Sequence, residues 1–204
     1  MYFLFSLFCV NNVICMKIFR FLLVLCGTLF ASMGLAGEID GMRFIHIGLE
    51  EGLSHSTIFG INQDKEGNLW FATYDGFNKY DGYNFTVYRH QYKNPKSIAS
   101  DITRCVVIDN DNRIWIGTRE GLSLYNHRKN EFSNFFYKKK GQNVTVRNIV
   151  PMQKDWLMLG TTEGILLFDV KGERFLNDTL SATLHSLKPL TLLRQDDDIF
   201  IGTK

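Results

Sequence analysis

From residue 58 onward the chain alternates short apolar runs with polar clusters rich in Gly, Asp and Asn. Runs of this length, rich in Ile, Val, Phe and Tyr and bounded by turn residues, predict β-strands. Four segments nearly repeat one another: Leu69-Trp-Phe-Ala-Thr-Tyr-Asp-Gly76, Ile114-Trp-Ile-Gly-Thr-Arg-Glu-Gly121, Leu157-Met-Leu-Gly-Thr-Thr-Glu-Gly164 and Ile199-Phe-Ile-Gly-Thr203. Their shared threonine stands at Thr73, Thr118, Thr161 and Thr203, in steps of 45, 43 and 42 residues. That period, built on short apolar runs with Gly turns, predicts propeller blades of four antiparallel strands.

The first unit reads as strands over 58–63, 69–73, 77–80 and 85–88. The second reads as 103–108, 114–118, 122–125 and 132–135, with Asn112 where Gly67 stood in the first. Both residue types tolerate a left-handed backbone. The third reads as 147–150, 156–161, 165–168 and a short strand near Phe175, with Pro151 expected to end the pairing of its first strand. Its turn at Gln153-Lys154-Asp155 is two residues shorter. The fourth has only 190–193 and 199–203. Trp70, Trp115, Met158 and Phe200 share one repeat position and Tyr80, Tyr125 and Phe168 another. A ligand cage and an inter-blade core are both open readings of these groups, and their regularity favours core.

Residues 1–36 read differently. Met16-Lys-Ile-Phe-Arg20, the apolar run Phe21 to Phe30 and the small residues Gly34-Leu35-Ala36 follow the plan of a signal peptide, read as a helix, with Met16 as the true start. An uncleaved anchor over 18–36 is the alternative. All 21 acidic residues and all basic ones except Lys17 and Arg20 lie beyond residue 36, so residues 37–204 are near neutral. That removes the electrostatic reason to expect nucleic acid, and Lys138-Lys139-Lys140 reads as a solvated turn. Cys9, Cys15 and Cys26 fall in the leader; Cys105 reads as a small buried side chain in a core built without disulfides.

Gly52-Leu-Ser-His-Ser-Thr-Ile58, Gln63 through Thr73 and Asp75-Gly-Phe-Asn-Lys-Tyr80 resemble the two-component regulator propeller repeat, as do Asp109 through Thr118 and Arg119-Glu-Gly-Leu-Ser-Leu-Tyr125. The resemblance covers most of 44–204, and is strongest in the first two units. It implies the periplasmic sensor region of a bacterial hybrid two-component histidine kinase. Such a parent sits in the inner membrane, works as a homodimer, and senses oligosaccharides to control transcription. The expectation is therefore an all-β chain: a leader at 1–36, then a partial propeller over 37–204. Its blades would run over 53–97, 98–142, 143–185 and an incomplete 186–204, about three and a half of an expected seven. Membrane attachment would come only through the leader or a further helix downstream.

Sites are expected on the loops between blades and on those joining each second strand to its third. The candidates are His55, Ser56, Tyr74, Asp75, Ser100, Asp101, Arg119 and Glu120, with Thr162 and Glu163 beside them. Their polar groups suit sugar hydroxyls, and equally suit solvated turns with Ser56 and Asp101 bonding local backbone. No catalytic set, cofactor motif or metal spacing is present, and the kinase itself would belong to the longer parent. Asp64, Asp75, Asp81 and Asp109 invite a glycosidase or lyase reading, but each stands where a turn needs an Asx residue. The spacing Asp64-x-x-Gly67-x-x-Trp70 is also longer at both steps than the sialidase Asp-box. An interaction scaffold without a small ligand is the third reading.

A purified 37–204 polypeptide should melt poorly, because its terminal blades expose apolar faces and strand edges. A sharp, reversible calorimetric transition of the monomer would contradict this.

Overall fold

A computed structural model describes residues 44–152, 155–176, 184, 186–196 and 198–203. The expected leader, with Met16, Cys9, Cys15 and Cys26, lies outside the described residues, as do Gln153 and Lys154 of the short turn. The chain divides into two compact units, Met1–His46 and Ile47–Lys204. The sheets of the described residues all lie in the second unit.

Its first sheet runs β1 (Ile58–Gln63), β2 (Leu69–Thr73), β3 (Gly76–Tyr80) and β4 (Phe85–Tyr88). The second runs β5 (Thr103–Ile108), β6 (Ile114–Thr118), β7 (Gly121–Asn126) and β8 (Glu131–Phe135). A small hairpin, β9 (Lys138–Lys139) with β10 (Gln142–Asn143), precedes the third sheet. That sheet is β11 (Val146–Pro151), β12 (Trp156–Thr161), β13 (Gly164–Asp169) and β14 (Arg174–Leu176). A two-stranded sheet, β15 (Thr191–Gln195) with β16 (Asp198–Gly202), follows. In each four-stranded sheet the pairing is antiparallel and in chain order. The inner strands β1, β5, β11 and β15 lie one against the next, the all-β propeller arrangement that the repeat predicts.

Two kinds of turn hold each sheet. At the β1–β2 end the backbone turns left-handed at Gly67 (φ 89°), Asn112 (φ 61°) and Asp155 (φ 61°). At the β2–β3 end a buried threonine closes a two-residue turn. Thr73, Thr118 and Thr161 donate through Oγ1 to the carbonyls of Gly76, Gly121 and Gly164 at 2.8, 2.9 and 2.7 Å. The same oxygens accept from the N–H groups of Asp75, Glu120 and Glu163 at 3.3, 3.2 and 3.2 Å. The glycines sit at φ 116°, 140° and 126°, where a Cβ would be strained.

Between sheets the core is aromatic. Trp70 of the first is fully buried against Tyr125 of the second, with ring centroids 5.1 Å apart. Trp115 of the second meets Phe168 of the third at 5.8 Å. Met158 of the third packs with Leu192 of the fourth. A buried aromatic of this size removes on the order of 200 Å² from water, worth about 5 kcal/mol. The large group expected between blades at Phe200 is instead 54% exposed, because no described sheet lies against its face. Pro151 is the last paired residue of its strand, as expected: it stands opposite Leu157, and its carbonyl accepts from Arg194 Nη1 at 2.9 Å. Lys138 and Lys139, read as a turn, are exposed strand residues of the small hairpin, and Lys140 (φ 52°) with Gly141 makes its turn. Cys105 packs in the core, where burial pushes its thiol up to about 12.

Close approach between the second and third sheets depends on a missing side chain. A Cβ on Gly117 would stand 2.5 Å from Cys105 Sγ and 2.8 Å from the Val146 carbonyl, whereas one on Gly60 would meet nothing nearer than 3.5 Å. Gly117→Ala in the full chain should therefore lower the urea midpoint, by the equivalent of about 1–3 kcal/mol. Gly60→Ala should be neutral or slightly stabilising. Equal midpoints for the two variants would refute the packing account.

Candidate functional site

The threonine–glycine frame carries two outward residues in each sheet: Tyr74-Asp75, Arg119-Glu120 and Thr162-Glu163. One backbone bond ties each pair to the segment leading into the inner strand. The N–H groups of Tyr74, Arg119 and Thr162 donate to the carbonyls of Thr57, Ile102 and Thr145 at 3.2, 2.9 and 3.1 Å. Turn and loop thus form one edge of the blades, as the sequence places them.

The inner strands add a feature that sequence reading missed. Three of them, β1, β5 and β11, have a register shift at the same place, between Ile58 and Gly60, Thr103 and Cys105, and Val146 and Asn148. The extra residues are Phe59, Arg104 and Arg147. Bulges re-aim side chains and concentrate beside functional sites. Here they add a second variable row next to Tyr74, Arg119 and Thr162. No residue pattern marks them beforehand, since a bulge is a property of register.

The structure gathers the expected site residues into two groups. His55 and Tyr74 pair at 5.5 Å, Tyr74 and Phe59 at 6.5 Å, and the Arg104 guanidinium lies 4.5 Å from the Phe59 ring centre. His55 Nδ1 accepts from the Thr57 N–H at 2.9 Å, which fixes its ring beside Tyr74, itself 48% exposed. Arg119 and Glu120 line a polar cleft of about 580 Å³ with Lys139, Asn143, Thr162 and Glu163. Within it Asn143 Nδ2 donates to Glu120 at 3.1 Å, and Lys139 pairs with Glu163 at 3.2 Å. Thr162 also borders a second cleft of about 550 Å³ lined by Arg147, Lys188 and Leu190.

The other candidates are used locally. Asp75 pairs with Arg89 at 3.1 Å, Ser100 Oγ accepts from the Ile102 N–H at 3.2 Å, and Asp101 Oδ1 accepts from the His90 N–H at 2.6 Å. Ser56 is exposed.

The tempting carboxylates are structural. Asp64 Oδ1 accepts from the Asn68 N–H at 2.8 Å, and Oδ2 accepts from the Trp70 indole at 2.7 Å. Asp109 repeats this with Arg113 N–H at 3.0 Å and Trp115 at 2.9 Å. Asp81 caps the N–H groups of Tyr83 and Asn84 at 2.9 and 2.8 Å, and those bonds hold its carboxyl below the usual range. Asp75 departs from the expected Asx turn, because the Thr73 hydroxyl already accepts its backbone N–H and leaves the carboxylate to Arg89. Among the described residues no group of His, Cys, Asp and Glu could hold a metal ion. None of their helices is long and apolar enough to cross a membrane.

The family model described as two component regulator propeller matches residues 52–75 and 97–120. Histidine kinase P4 of Formosa agariphila is 37% identical over 70 residues, which are 34% of this chain and 5% of that protein. Among solved structures, the extracellular domain of a hybrid two-component system of B. thetaiotaomicron aligns with a TM-score of 0.66 at 30% identity, over 78% of this chain and 24% of its own. The extracellular domain of a one-component system of the same organism aligns with a TM-score of 0.55 at 25% identity, over 74% and 20%. The chain thus spans a quarter or less of the length of these relatives.

Burial alone would raise the Asp64 carboxyl; the bonds from Trp70 and Asn68 outweigh it, so the group titrates below its ordinary range. A depressed folded-state value stabilises above the unfolded pKa of about 3.9, and the contribution disappears as pH falls through the folded value. Tryptophan fluorescence should therefore report acid unfolding beginning below about pH 4. Asp64→Asn should flatten that limb and cost about 2 kcal/mol at pH 7; an unaltered limb would contradict the assignment.

Proposed function

This chain carries two-component regulator propeller repeats, and on that premise we propose that it is part of the ligand-sensing region of a hybrid two-component histidine kinase. The signal is an oligosaccharide, and the output is transcription control through the longer parent. The parent stands in the inner membrane as a homodimer, with this region in the periplasm.

The observation that carries the reading is the contrast between frame and cargo. Thr73, Thr118 and Thr161 with their glycines recur unchanged, while the residues they present are Tyr74-Asp75, Arg119-Glu120 and Thr162-Glu163. The frame leaves these outward pairs unconstrained in size and charge, which is the freedom a recognition surface needs. Exposed Tyr74 offers an apolar face for a sugar ring, and the polar cleft beside Arg119 offers donors and acceptors for hydroxyls. The Asp64 and Asp109 carboxylates are occupied by indole and backbone donors at the other turn, which speaks against the glycosidase reading.

Titration calorimetry with an oligosaccharide panel on the parent's sensor region tests this. Saturable binding without hydrolysis products is expected, and Tyr74→Ala should weaken it about tenfold while leaving the melt unchanged. Released product would favour an enzyme, and a silent panel would favour a scaffold.

A further inference from the structure

We infer that the row of inner-strand bulges is an anion-recognition strip, and that the oligosaccharide sensed here carries carboxylate or sulfate groups. The inference rests on the sensing function proposed above and adds the chemical class of the ligand.

Charge pairing at this edge of the blades is lopsided. Every carboxylate of the outward pairs has a partner: Asp75 has Arg89, Glu120 has Asn143, and Glu163 has Lys139. The arginines of the same edge do not. Among the described residues Arg104, Arg119 and Arg147 enter no ion pair. Arg104 is the most telling of them. Its Nε is buried and has no hydrogen-bond acceptor, while its guanidinium is held 4.5 Å from the centre of the Phe59 ring. A buried donor left without an acceptor is uncommon and marks a place where something else supplies one.

The strand geometry explains why these groups stand together. Arg104 and Arg147 are the bulged residues of adjacent inner strands, so both leave the ladder at the same level. Arg147 lines the cleft that shares Thr162 with the one lined by Arg119. A guanidinium carries five donors in a planar fork that matches a carboxylate or sulfate two bonds at a time. Phe59, Tyr74 and His55 next to Arg104 supply the apolar surface that the ring of an acidic sugar would cover.

Calorimetry on the parent's sensor region tests this with four saccharides and one salt. Tetragalacturonate and a chondroitin sulfate tetrasaccharide carry the anions; methyl-esterified tetragalacturonate and cellotetraose are neutral; sodium sulfate is the free anion. At least one acidic saccharide should bind at least about tenfold more tightly than its neutral counterpart. Arg104→Gln and Arg147→Gln should each remove about tenfold of that affinity. Arg147 is exposed, so its variant keeps the test valid even where Arg104→Gln disturbs folding. Equal binding of neutral and acidic saccharides, unaffected by either variant, would overturn the anion strip and leave oligosaccharide sensing standing. Sulfate binding that depends on both arginines, with no saccharide bound, would uphold the strip and overturn the oligosaccharide reading. No binding to any probe would overturn the strip.

Discussion

A threonine hydroxyl, buried and bonded to the carbonyl of a glycine three residues on, closes the same turn in three successive sheets. Everything on the exposed edge is hung from that closure. The hydroxyl satisfies the turn from inside, accepting one N–H and donating to one carbonyl, so the two residues between are free of structural duty. They can be Tyr and Asp, Arg and Glu, or Thr and Glu without cost to the hairpin. A turn held by its own outward side chains could not vary in this way.

The sheets are joined by a second recurring device. The tryptophan on the second strand of each of the first two sheets packs on the third strand of the next, Trp70 on Tyr125 and Trp115 on Phe168. The indole nitrogens are taken by Asp64 and Asp109, so an aromatic core is built without an orphaned donor. Hydrogen bonds reinforce the seam: the Thr73 N–H donates to Thr103 Oγ1 at 2.7 Å, and Thr103 Oγ1 donates back to the Thr73 carbonyl at 3.0 Å. Lower down, Asn112 bonds Lys65 and Glu66, and Arg113 reaches Asp155. No sheet buries both of its faces alone, which is why stability and site both belong to the stack.

Function follows from what this frame leaves unused. Acidic groups at one turn are consumed by indoles and backbone, and those at the other are consumed by neighbouring cations or amides. Aromatic rings and arginines remain. Among the described residues that remainder offers stacking surfaces and hydrogen-bond donors.

Strand positions, turn residues and the inter-blade aromatics were legible in the chain itself, because period and turn chemistry are local properties. Gly67 and Asn112 were readable as left-handed positions, and Trp70 and Trp115 as core, from repetition alone. The hairpin of β9 and β10 was not, since a run of lysines has no apolar alternation to reveal a strand. Phe59, Arg104 and Arg147 were invisible for a deeper reason. They become one row only when three strands share a register fault, and register is fixed by the partner strand. The partners of Asp75, Glu120 and Glu163 likewise come from other strands and loops. The repeat by itself therefore determined the frame and the places where chemistry could vary, because both are written at short range. Which of those side chains are spent on each other and which are left facing outward was decided only when the sheets packed, because charge pairing depends on distances between segments far apart in the chain.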